Sequence, residues 1–180
     1  MYCDNGSFRM IPLNFKQWIK DHRAELKPPV GNQQIWPNRE FMVTVVAGPN
    51  ARKDFHINEG EEFFHQLEGD MVLRVMEGGQ PVEIPIREGE IFLLPPNIPH
   101  SPQRPAGTLG LVIERRRLPH ERDGFVWFCE QCQGKLYAEF FHLTDIVAQL
   151  PPVFERFFSS DKNTTCQDCG ARMEREEKRK

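Results

Sequence analysis

The side chains of this chain best suited to chemistry lie between Gly48 and Arg104, and they are Arg52, His56, Glu62, His100 and Arg104. Two imidazoles and one carboxylate favour non-haem Fe(II), because three protein ligands leave coordination positions open for a substrate and dioxygen. An arginine fork can bind two oxygens of a carboxylate at once. The residue types and their spacing therefore predict an oxygen-activating iron site that faces an anionic substrate.

A second set of metal-binding residue types consists of two CxxC pairs, which are Cys129, Cys132, Cys166 and Cys169. A glycine follows each pair closely, and each short loop lets both thiolates reach one cation. Four thiolates predict a closed tetrahedral site for zinc or iron, with the structural role of tying the segment after Trp127 to the carboxy terminus. Disulfides or free thiols are the alternative, and Cys3 is expected to be unpaired.

Strands are expected to position the first set of residues, since strand patterns dominate from Gln33 to Phe128. Alternation over Glu62–Glu68 and Met71–Met76, broken by Gly69, predicts a β-hairpin. A strand over Glu90–Leu94 ends shortly before His100, so this histidine is expected just past a strand end. Two apolar strands are predicted over Phe41–Val46 and Leu109–Glu114.

Helices are expected near the two ends of the chain. Asn14 can cap a helix from Phe15 to about Leu26, before two consecutive prolines. Thr144-Asp145 can cap a second helix, which Pro151-Pro152 would interrupt before a helical piece over Val153–Phe158.

Length and composition agree with a compact domain and a small appendage, because the chain has 180 residues and is 39% hydrophobic. The amino terminus lacks the apolar stretch of a signal peptide, and no segment is long and apolar enough to span a bilayer. We therefore expect a soluble cytoplasmic protein. The net charge of −3 gives little support to nucleic-acid binding.

The spacing of these residues resembles the cupins, whose two motifs have the forms G-x5-H-x-H-x3,4-E-x6-G and G-x5-P-x-G-x2-H-x3-N. In the first motif, Gly48, His56, Glu62 and Gly69 match, whereas Asp54 stands at the first histidine position. In the second motif, Gly89, Pro95 and His100 match, Asn97 replaces glycine and Arg104 replaces asparagine. The resemblance implies an all-β-dominated cupin barrel (a double-stranded β-helix or jelly roll) with His56, Glu62 and His100 as metal ligands.

Glu61 and Glu62 compete for the carboxylate position of the first motif. Adjacent strand residues face opposite ways, so only one of them can point inward. Glu62 keeps the six-residue spacing to Gly69, at the cost of one extra residue within the segment 57–60. Glu62 is therefore the predicted ligand, and Glu61 is expected to face outward.

Longer stretches resemble the 3-hydroxyanthranilate 3,4-dioxygenase family: GPN-x-R-x-D-x-H from Gly48, EEFFHQLEGD from Glu61, GEIFLLPP from Gly89, HSPQRP from His100, LVIER from Leu111 and PPVGN from Pro28. The resemblance covers nearly the whole chain, and shorter members of the family carry a cysteine-rich carboxy-terminal extension. It implies Fe(II)-dependent cleavage of 3-hydroxyanthranilate by O2. The product would be 2-amino-3-carboxymuconate 6-semialdehyde, the precursor of quinolinate in NAD biosynthesis or in the catabolism of tryptophan or nitroaromatic compounds.

The family resemblance also implies roles for residues around the metal. Arg104 is the expected anchor for the substrate carboxylate, and Glu114 would face the amino or hydroxyl end of the ring. Arg52 would lie near the oxygen position, where a fixed cation stabilises developing negative charge. Asp54 could hold Arg52 or a ligand histidine. We count Arg52, Arg104 and Glu114 as catalytic candidates and Glu62, Arg104 and Glu114 as substrate contacts.

Each assignment has a plainer alternative. The histidines outside the motifs are expected to be surface or structural residues, namely His22, His65, His120 and His142. Arg104 at a strand end and Glu114, which precedes the basic run Arg115 to Arg117, could be a solvated ion pair, and the same alternative of exposed charge applies to Arg52 and Asp54. A redox-silent metal cupin such as a sugar isomerase, in which Asp54 could ligate, and a noncatalytic ligand-binding cupin are the competing functions.

The predicted organisation has three parts: a catalytic cupin domain over residues 1–128 with a short N-terminal helix, a rubredoxin-like extension over 129–172 that holds the second iron or zinc and contains helices, and a charged tail over 173–180. The small barrel is expected to have exposed strand edges. Because Phe41–Val46 is apolar, we predict a homodimer that pairs through this strand.

Overall fold

Two antiparallel β-sheets make up most of the computed structural model, which describes residues 3–4, 7–8, 11–27 and 31–175. The elements are β1 (Cys3–Asp4), β2 (Ser7–Phe8), α1 (Phe15–His22), β3 (Asn32–Gln34), β4 (Phe41–Ala47), β5 (Asp54–Ile57), β6 (Glu62–Glu68), β7 (Met71–Glu77), β8 (Gln80–Ile86), β9 (Ile91–Leu94), β10 (His100–Gln103), β11 (Leu109–Arg115), β12 (Asp123–Phe128), β13 (Lys135–Phe141), α2 (Ile146–Phe158) and α3 (Asp161–Thr164).

The sheets have the strand orders β13-β12-β5-β10-β7-β8 and β3-β4-β11-β6-β9, beside a separate β1-β2 pair. Non-consecutive neighbours show that the chain crosses repeatedly from one sheet to the other, as in a jelly roll. The predicted fold class, a cupin barrel with a short N-terminal helix and a helical four-cysteine region, is confirmed.

The predicted hairpin between Glu62–Glu68 and Met71–Met76 is wrong, although both strands exist. β6 pairs with β11 and β9, whereas β7 pairs with β10 and β8. Gly69, at φ +62°, lies where the chain leaves one sheet for the other. Alternation shows which face of a strand points inward, and both strands do bury one face, but alternation does not select the hydrogen-bonded neighbour.

The space between the two sheets is filled by apolar side chains of both. The cluster contains Phe64, Met71, Leu73, Val75, Ile86, Leu94 and Val112. A second cluster joins β12 to the carboxy-terminal region, and a third packs α1 against β4 and β11. The central cluster occupies one part of the barrel interior, and polar side chains occupy another.

The first helix begins as predicted and ends earlier. Asn14 accepts a hydrogen bond from the backbone N–H of Gln17 at 3.1 Å, which is the predicted cap. The helix ends at His22, because the chain then turns so that Arg23 pairs with Glu68 at 2.5 Å and Leu26 is buried. Residues 28–30, part of the PPVGN stretch, lie outside the described residues.

The predicted interruption of the second long helix is also wrong, since α2 runs through Pro151 and Pro152. The side chain of Asp145 accepts from the N–H of Ala148 at 3.1 Å, as a cap does. Beyond the prolines, Val153 and Phe157 are buried, and the Phe157 ring stacks on Trp127 at 4.4 Å. Burial of this apolar face offsets the backbone hydrogen bonds that two prolines cannot donate.

The carboxy-terminal region is built onto the barrel. β13 pairs with β12 along its length and so extends the six-stranded sheet. Met173 is buried in the second cluster and Arg175 lies 2.8 Å from Glu155, so the expected charged tail does not start at residue 173. Residues 176–180 lie outside the described residues.

The predicted pairing edge is wrong as well, because β4 lies between β3 and β11 and is not an edge strand. Its apolar sequence reflects its place inside the five-stranded sheet, where α1 packs on it. Within the described part of the chain, no helix is long and apolar enough to cross a membrane.

Candidate active site

The three predicted metal ligands meet inside the barrel, contributed by both sheets. His56 lies on β5 and pairs in register with His100, the first residue of β10, while Glu62 is the first residue of β6 in the opposite sheet. All three are buried, and one potential ligand atom from each lies within 4.8 Å of the others. His100 thus opens a strand of its own, rather than lying just past one. Glu61 is exposed, as expected.

The donor atoms fit a cation. Glu62 Oε2 is buried and lies 3.1 Å from His100 Nε2, yet it has no hydrogen bond of acceptable geometry. A buried acceptor of this kind is costly unless it is satisfied by another group. The other nitrogen of His100, Nδ1, lies 2.9 Å from the carbonyl oxygen of Ile98, which leaves Nε2 facing Glu62. A divalent cation bound between these side chains would satisfy the Glu62 oxygen.

His56 is held by a residue that the sequence did not indicate. Its Nε2 lies 2.6 Å from Asp123 Oδ2, which leaves Nδ1 available to a cation. The ring also stacks on Phe125, with centroids 5.1 Å apart. Metal-binding histidines commonly use their second nitrogen in this way, because the bond fixes the ring and its tautomer. The one local signal was an acidic residue at the start of an otherwise apolar strand.

Asp123 is in turn held by Arg117. The Arg117 guanidinium donates to Asp123 at 2.7 Å through Nη2 and lies 2.7 Å from Glu114 through Nη1. The Arg117 side chain is 9% exposed, so it is not part of a solvated basic run. A single buried cation therefore links Glu114 to the carboxylate that holds His56.

Charge in the site favours a metal-binding protonation state for two ligands. Burial lowers the pKa of His56 in spite of Asp123, so its imidazole is neutral at neutral pH. Burial would raise the pKa of Glu62, but His100 and His56 lower it overall, so this group is a carboxylate. For His100, burial would lower the pKa, and the charge of Glu62 raises it overall. A metal cation bound at Glu62 would replace the proton on His100, because either one balances the negative charge of Glu62.

Asp54, at the motif position usually held by histidine, binds Arg52. The Arg52 guanidinium donates to both carboxylate oxygens of the fully buried Asp54. Burial would lower the pKa of Arg52, but Asp54 raises it overall. Asp54 was expected to hold either Arg52 or a ligand histidine. The structure shows that it contacts Arg52, whereas Asp123 holds the histidine His56.

Arg104 is a buried cation with room for an anion. It is 4% exposed, and its Nη1 donates to Gln66 Oε1 at 2.9 Å. Its Nε is buried without a hydrogen-bond partner, and no carboxylate of the described residues forms a salt bridge with it. Burial lowers its pKa to about 10. A buried guanidinium that forms no salt bridge can bind a carboxylate.

Glu114 lies opposite Glu62 in the register of β11 and β6. Its Oε1 accepts from Asn58 Nδ2 at 3.0 Å and lies 2.7 Å from Arg117 Nη1. Burial and the charge of Glu62 raise its pKa to about 7, although Arg117 opposes the shift. The alternative of a solvated ion pair is therefore wrong for Glu114.

The four paired cysteines form a second cluster. Their sulfur atoms lie within 4.8 Å of one another, with 3.5 Å between Cys129 and Cys169 and 3.4 Å between Cys132 and Cys166. A disulfide needs about 2.05 Å, so the disulfide alternative is wrong. Zinc–sulfur bonds of about 2.3 Å put neighbouring sulfurs of a tetrahedral site roughly 3.8 Å apart, which these separations approach. The Cys3 side chain lies outside the described residues.

Hydrogen bonds of the backbone shape both cysteine loops alike. The N–H of Cys129 donates to Gly134 at 2.8 Å, and the N–H of Cys166 donates to Ala171 at 2.8 Å. The thiol of Cys129 also accepts from the N–H of Gln131 at 3.4 Å. Burial opposes its ionisation, but the backbone N–H groups of Cys132 and Gln131, together with the thiols of Cys169 and Cys132, lower its pKa to about 7. The loop thus favours a thiolate at Cys129, whereas at Cys132 the backbone N–H of Gly134 acts in the same direction but hydrogen bonds with the neighbouring thiols raise the pKa to about 12.

The histidines outside the motifs lie away from these clusters. Nδ1 of His22 lies 2.8 Å from the carbonyl oxygen of Trp18, and Nδ1 of His142 lies 2.9 Å from that of Glu121. Neither His65 nor His120 belongs to a metal-binding cluster of the described chain. Their expected surface or structural roles agree with these positions.

Comparison with known proteins matches the chain to one family. The model of the 3-hydroxyanthranilic acid dioxygenase family matches residues 7–158. A protein of Xanthomonas campestris pv. campestris (strain B100) named 3-hydroxyanthranilate 3,4-dioxygenase is 55% identical over 159 residues, covering 88% of this chain and 90% of that protein. A protein of Ruegeria pomeroyi with the same name is 50% identical over 163 residues, covering 90% and 91% respectively.

Solved structures with a similar backbone include a cupin-2 domain containing protein from Shewanella frigidimarina. It is 16% identical, with a TM-score of 0.46, and the alignment covers 54% of this chain and 92% of that protein.

Proposed function

The chain belongs to the 3-hydroxyanthranilic acid dioxygenase family, and we propose that it catalyses the oxidation of 3-hydroxyanthranilate by O2 with cleavage of the ring between carbons 3 and 4. Identity of 55% over 88% of the chain to an enzyme of that name carries this conclusion. The product is 2-amino-3-carboxymuconate 6-semialdehyde, which closes to quinolinate. The buried cluster of two histidines and a glutamate makes it a metal-dependent dioxygenase.

We assign His56, Glu62 and His100 as the ligands of Fe(II). The unsatisfied Glu62 oxygen and the outer partners of both histidines support this assignment. With three protein ligands, a bound Fe(II) would leave positions open for the ring substituents and dioxygen, and it would pass electrons from the ring, which is oxidised, to the oxygen, which is reduced. The protein's own residues orient the ring, neutralise its charge and handle protons.

Arg104 is proposed to bind the substrate carboxylate. A carboxylate that enters the barrel loses its hydration. This loss costs on the order of several kcal/mol unless a fixed cation replaces the water. The buried Arg104 guanidinium has an Nε without a hydrogen-bond partner and forms no salt bridge among the described residues, so it can supply this contact. Its position therefore determines which end of the ring reaches Glu62.

Glu114 is proposed to face the amino or hydroxyl group of the ring. With a pKa raised to about 7, its carboxyl group can accept or return a proton close to neutral pH. Asn58 and Arg117 hold Oε1, so Oε2 is the oxygen to which we assign the proton. Arg52, fixed by Asp54, is proposed to stabilise negative charge at the oxygen position.

The competing functions have less support. Asp54 binds Arg52 with both carboxylate oxygens, which argues against the fuller ligand set of a metal isomerase. A noncatalytic binding cupin would not need a buried, unsatisfied carboxylate oxygen beside two histidines. No observation in the described part of the chain favours either alternative.

We also propose that Cys129, Cys132, Cys166 and Cys169 bind a structural iron or zinc ion. The separation of the sulfurs supports a tetrahedral cation. The division into a catalytic part over 1–128 and a metal-binding extension stays a proposal. The two parts share one sheet, because β12 of the first pairs with β13 of the second. A homodimer and a cytoplasmic location stay predictions. The dimer is no longer expected to pair through β4, because β4 is not an edge strand.

The direct test is anaerobic loading of the protein with Fe(II), followed by addition of 3-hydroxyanthranilate and then oxygen. We expect oxygen uptake and the appearance of the yellow-absorbing semialdehyde. Protein loaded with zinc is the control, and it should bind the substrate without consuming oxygen. Fully Fe(II)-loaded protein without turnover would show that the proposed function is wrong.

A further inference from the structure

Gln66 is buried in the barrel and is not accounted for by the roles assigned above. It is 1% exposed and lies on β6, on the inward face that also carries Glu62 and Phe64. Its backbone N–H donates to Glu90 and its carbonyl oxygen accepts from Gly89, so its position is fixed on both sides. A buried amide in such a place needs partners for its polar atoms.

The Gln66 side chain has one partner at each end. Its Oε1 accepts from Arg104 Nη1 at 2.9 Å, and its Nε2 donates to the carbonyl oxygen of Glu68 at 3.1 Å. The second bond fixes which end of the amide faces Arg104, because an amide has one accepting and one donating end. Arg104 is therefore held by an oxygen that carries no formal charge.

Gly110 leaves the space in which the Arg104 guanidinium contacts Gln66. It pairs with Gln66 in the register of β11 and β6. A Cβ atom at Gly110 would lie 2.5 Å from Arg104 Nη1 and 2.9 Å from Gln66 Oε1, closer than such contacts allow. Only glycine leaves room for the arginine and the amide to meet at this place.

We propose that Gln66 sets the specificity for carboxylated rings, by orienting Arg104 through a neutral acceptor and so leaving its charge for the substrate. This inference rests on the proposed function. A carboxylate at the same place would orient Arg104 equally well and would also neutralise it. Binding of a second anion would then lose most of its electrostatic gain.

A purely structural role and a specificity role of Gln66 predict different rankings of two variants by their loss of ligand affinity. If Gln66 served only to fill space and satisfy a hydrogen bond, Gln66→Glu would be a mild change with similar effects on all ligands, and Gln66→Leu would be worse. If Gln66 preserves the charge of Arg104, Gln66→Glu must selectively weaken carboxylated ligands, more than Gln66→Leu does. The ratio of affinities for a carboxylated and an uncarboxylated ring is the readout that separates the two roles.

The experiment measures dissociation constants of 3-hydroxyanthranilate and of 2-aminophenol, the same ring without its carboxylate, by calorimetry on zinc-loaded protein. In Gln66→Glu we expect the affinity ratio to fall by about tenfold or more, with binding of 2-aminophenol retained. Gln80→Glu, the same substitution at an exposed position of β8, is the control and should leave the ratio unchanged. Turnover of both compounds by the Fe(II)-loaded variants should follow the same order.

An unchanged ratio in Gln66→Glu, or an equal fall in Gln66→Leu, would overturn the proposal. If Gln66→Glu does not fold, Gly110→Ala decides, because the new methyl group must displace the guanidinium, and an unchanged ratio in that folded variant would also overturn the proposal. Failure of the proposed function looks different, since wild-type protein would then show no turnover of 3-hydroxyanthranilate in the first place.

Discussion

Asp123 Oδ2 lies 2.6 Å from Nε2 of His56, on a strand that pairs directly with the strand of His56. The same carboxylate accepts a hydrogen bond that Arg117 Nε shares between its two oxygens, and a second one from Nη2. Burial would raise its pKa, but His56 and Arg117 lower it overall, so it stays ionised. An ionised carboxylate on the far nitrogen orients a histidine ligand and makes it more basic.

Replacing Asp123 by Asn should therefore weaken metal binding without removing a ligand. We expect the affinity for Fe(II) or zinc at the histidine site to fall by about 10- to 100-fold, as for other outer partners of metal-bound histidines. Competition with a chelator of known affinity measures the change. Asp70→Asn, in an exposed turn, is the control. Unaltered affinity in a folded Asp123→Asn protein would contradict the proposed role of Asp123.

Replacing Arg104 by Ala should mainly affect the substrate. If Arg104 pairs with the buried carboxylate, binding should weaken by roughly 2 to 5 kcal/mol, because the anion would lose the cation that neutralises it. Titration of zinc-loaded protein with 3-hydroxyanthranilate measures this loss, with the exposed Arg74→Ala as the control. The metal content should not change. Equal affinity in the Arg104 variant would exclude the anchoring role.

Glu121 should make stability depend on pH in the acidic range. It pairs with Arg115 and accepts from the N–H of Leu118 at 2.7 Å, so it fixes the loop that carries Arg117. The Arg115 contact lowers its pKa from 4.5 to about 2, so its stabilisation is complete above pH 4.5 and is lost as the pH falls toward 2.

The measurement compares the free energy of unfolding of wild type and Glu121→Gln across this range. The wild type should be more stable near pH 6, and the difference should shrink steadily below pH 4.5. A difference that stays constant down to pH 2 would show that the carboxylate charge is not the cause.

Replacing Cys166 by Ser should separate the two metal sites. The variant should lose the second metal ion and unfold at a lower temperature, since the bound metal stabilises the segment that packs on Trp127. Ring cleavage at low temperature should persist, because the histidine site has its own ligands. Metal analysis, thermal denaturation and oxygen uptake together test this prediction. Complete loss of turnover in folded protein would contradict a structural role.

The sequence was sufficient for residues whose spacing is local to a motif. Spacing predicted that His56, Glu62 and His100 lie together, that the four paired cysteines do so, and that Glu62 faces inward, and the structure shows all three. The contacts of Asp123, Arg117 and Gln66 could not be predicted, because each depends on which strands become neighbours. The error over β6 and β7 has the same origin, since alternation gives the buried face of a strand but not its partner.

Packing explains two further differences between prediction and structure. Pro151 and Pro152 predicted an interruption, yet the burial of Val153 and Phe157 keeps α2 continuous. Arg117 looked like one member of an exposed basic run, yet the carboxylates of Glu114 and the buried Asp123 hold its side chain in the interior. In both cases tertiary contacts outweigh a local preference.

Whether the metal of the histidine site carries the reaction is decided by oxygen uptake of Fe(II)-loaded wild type and of Fe(II)-loaded His100→Ala, each with a filled four-cysteine site. We expect the wild type to consume one O2 for each semialdehyde formed, whereas the variant should keep its cysteine-bound metal and consume none. Ring cleavage by the variant at the wild-type rate would contradict the assignment of the reaction to the iron between His56, Glu62 and His100.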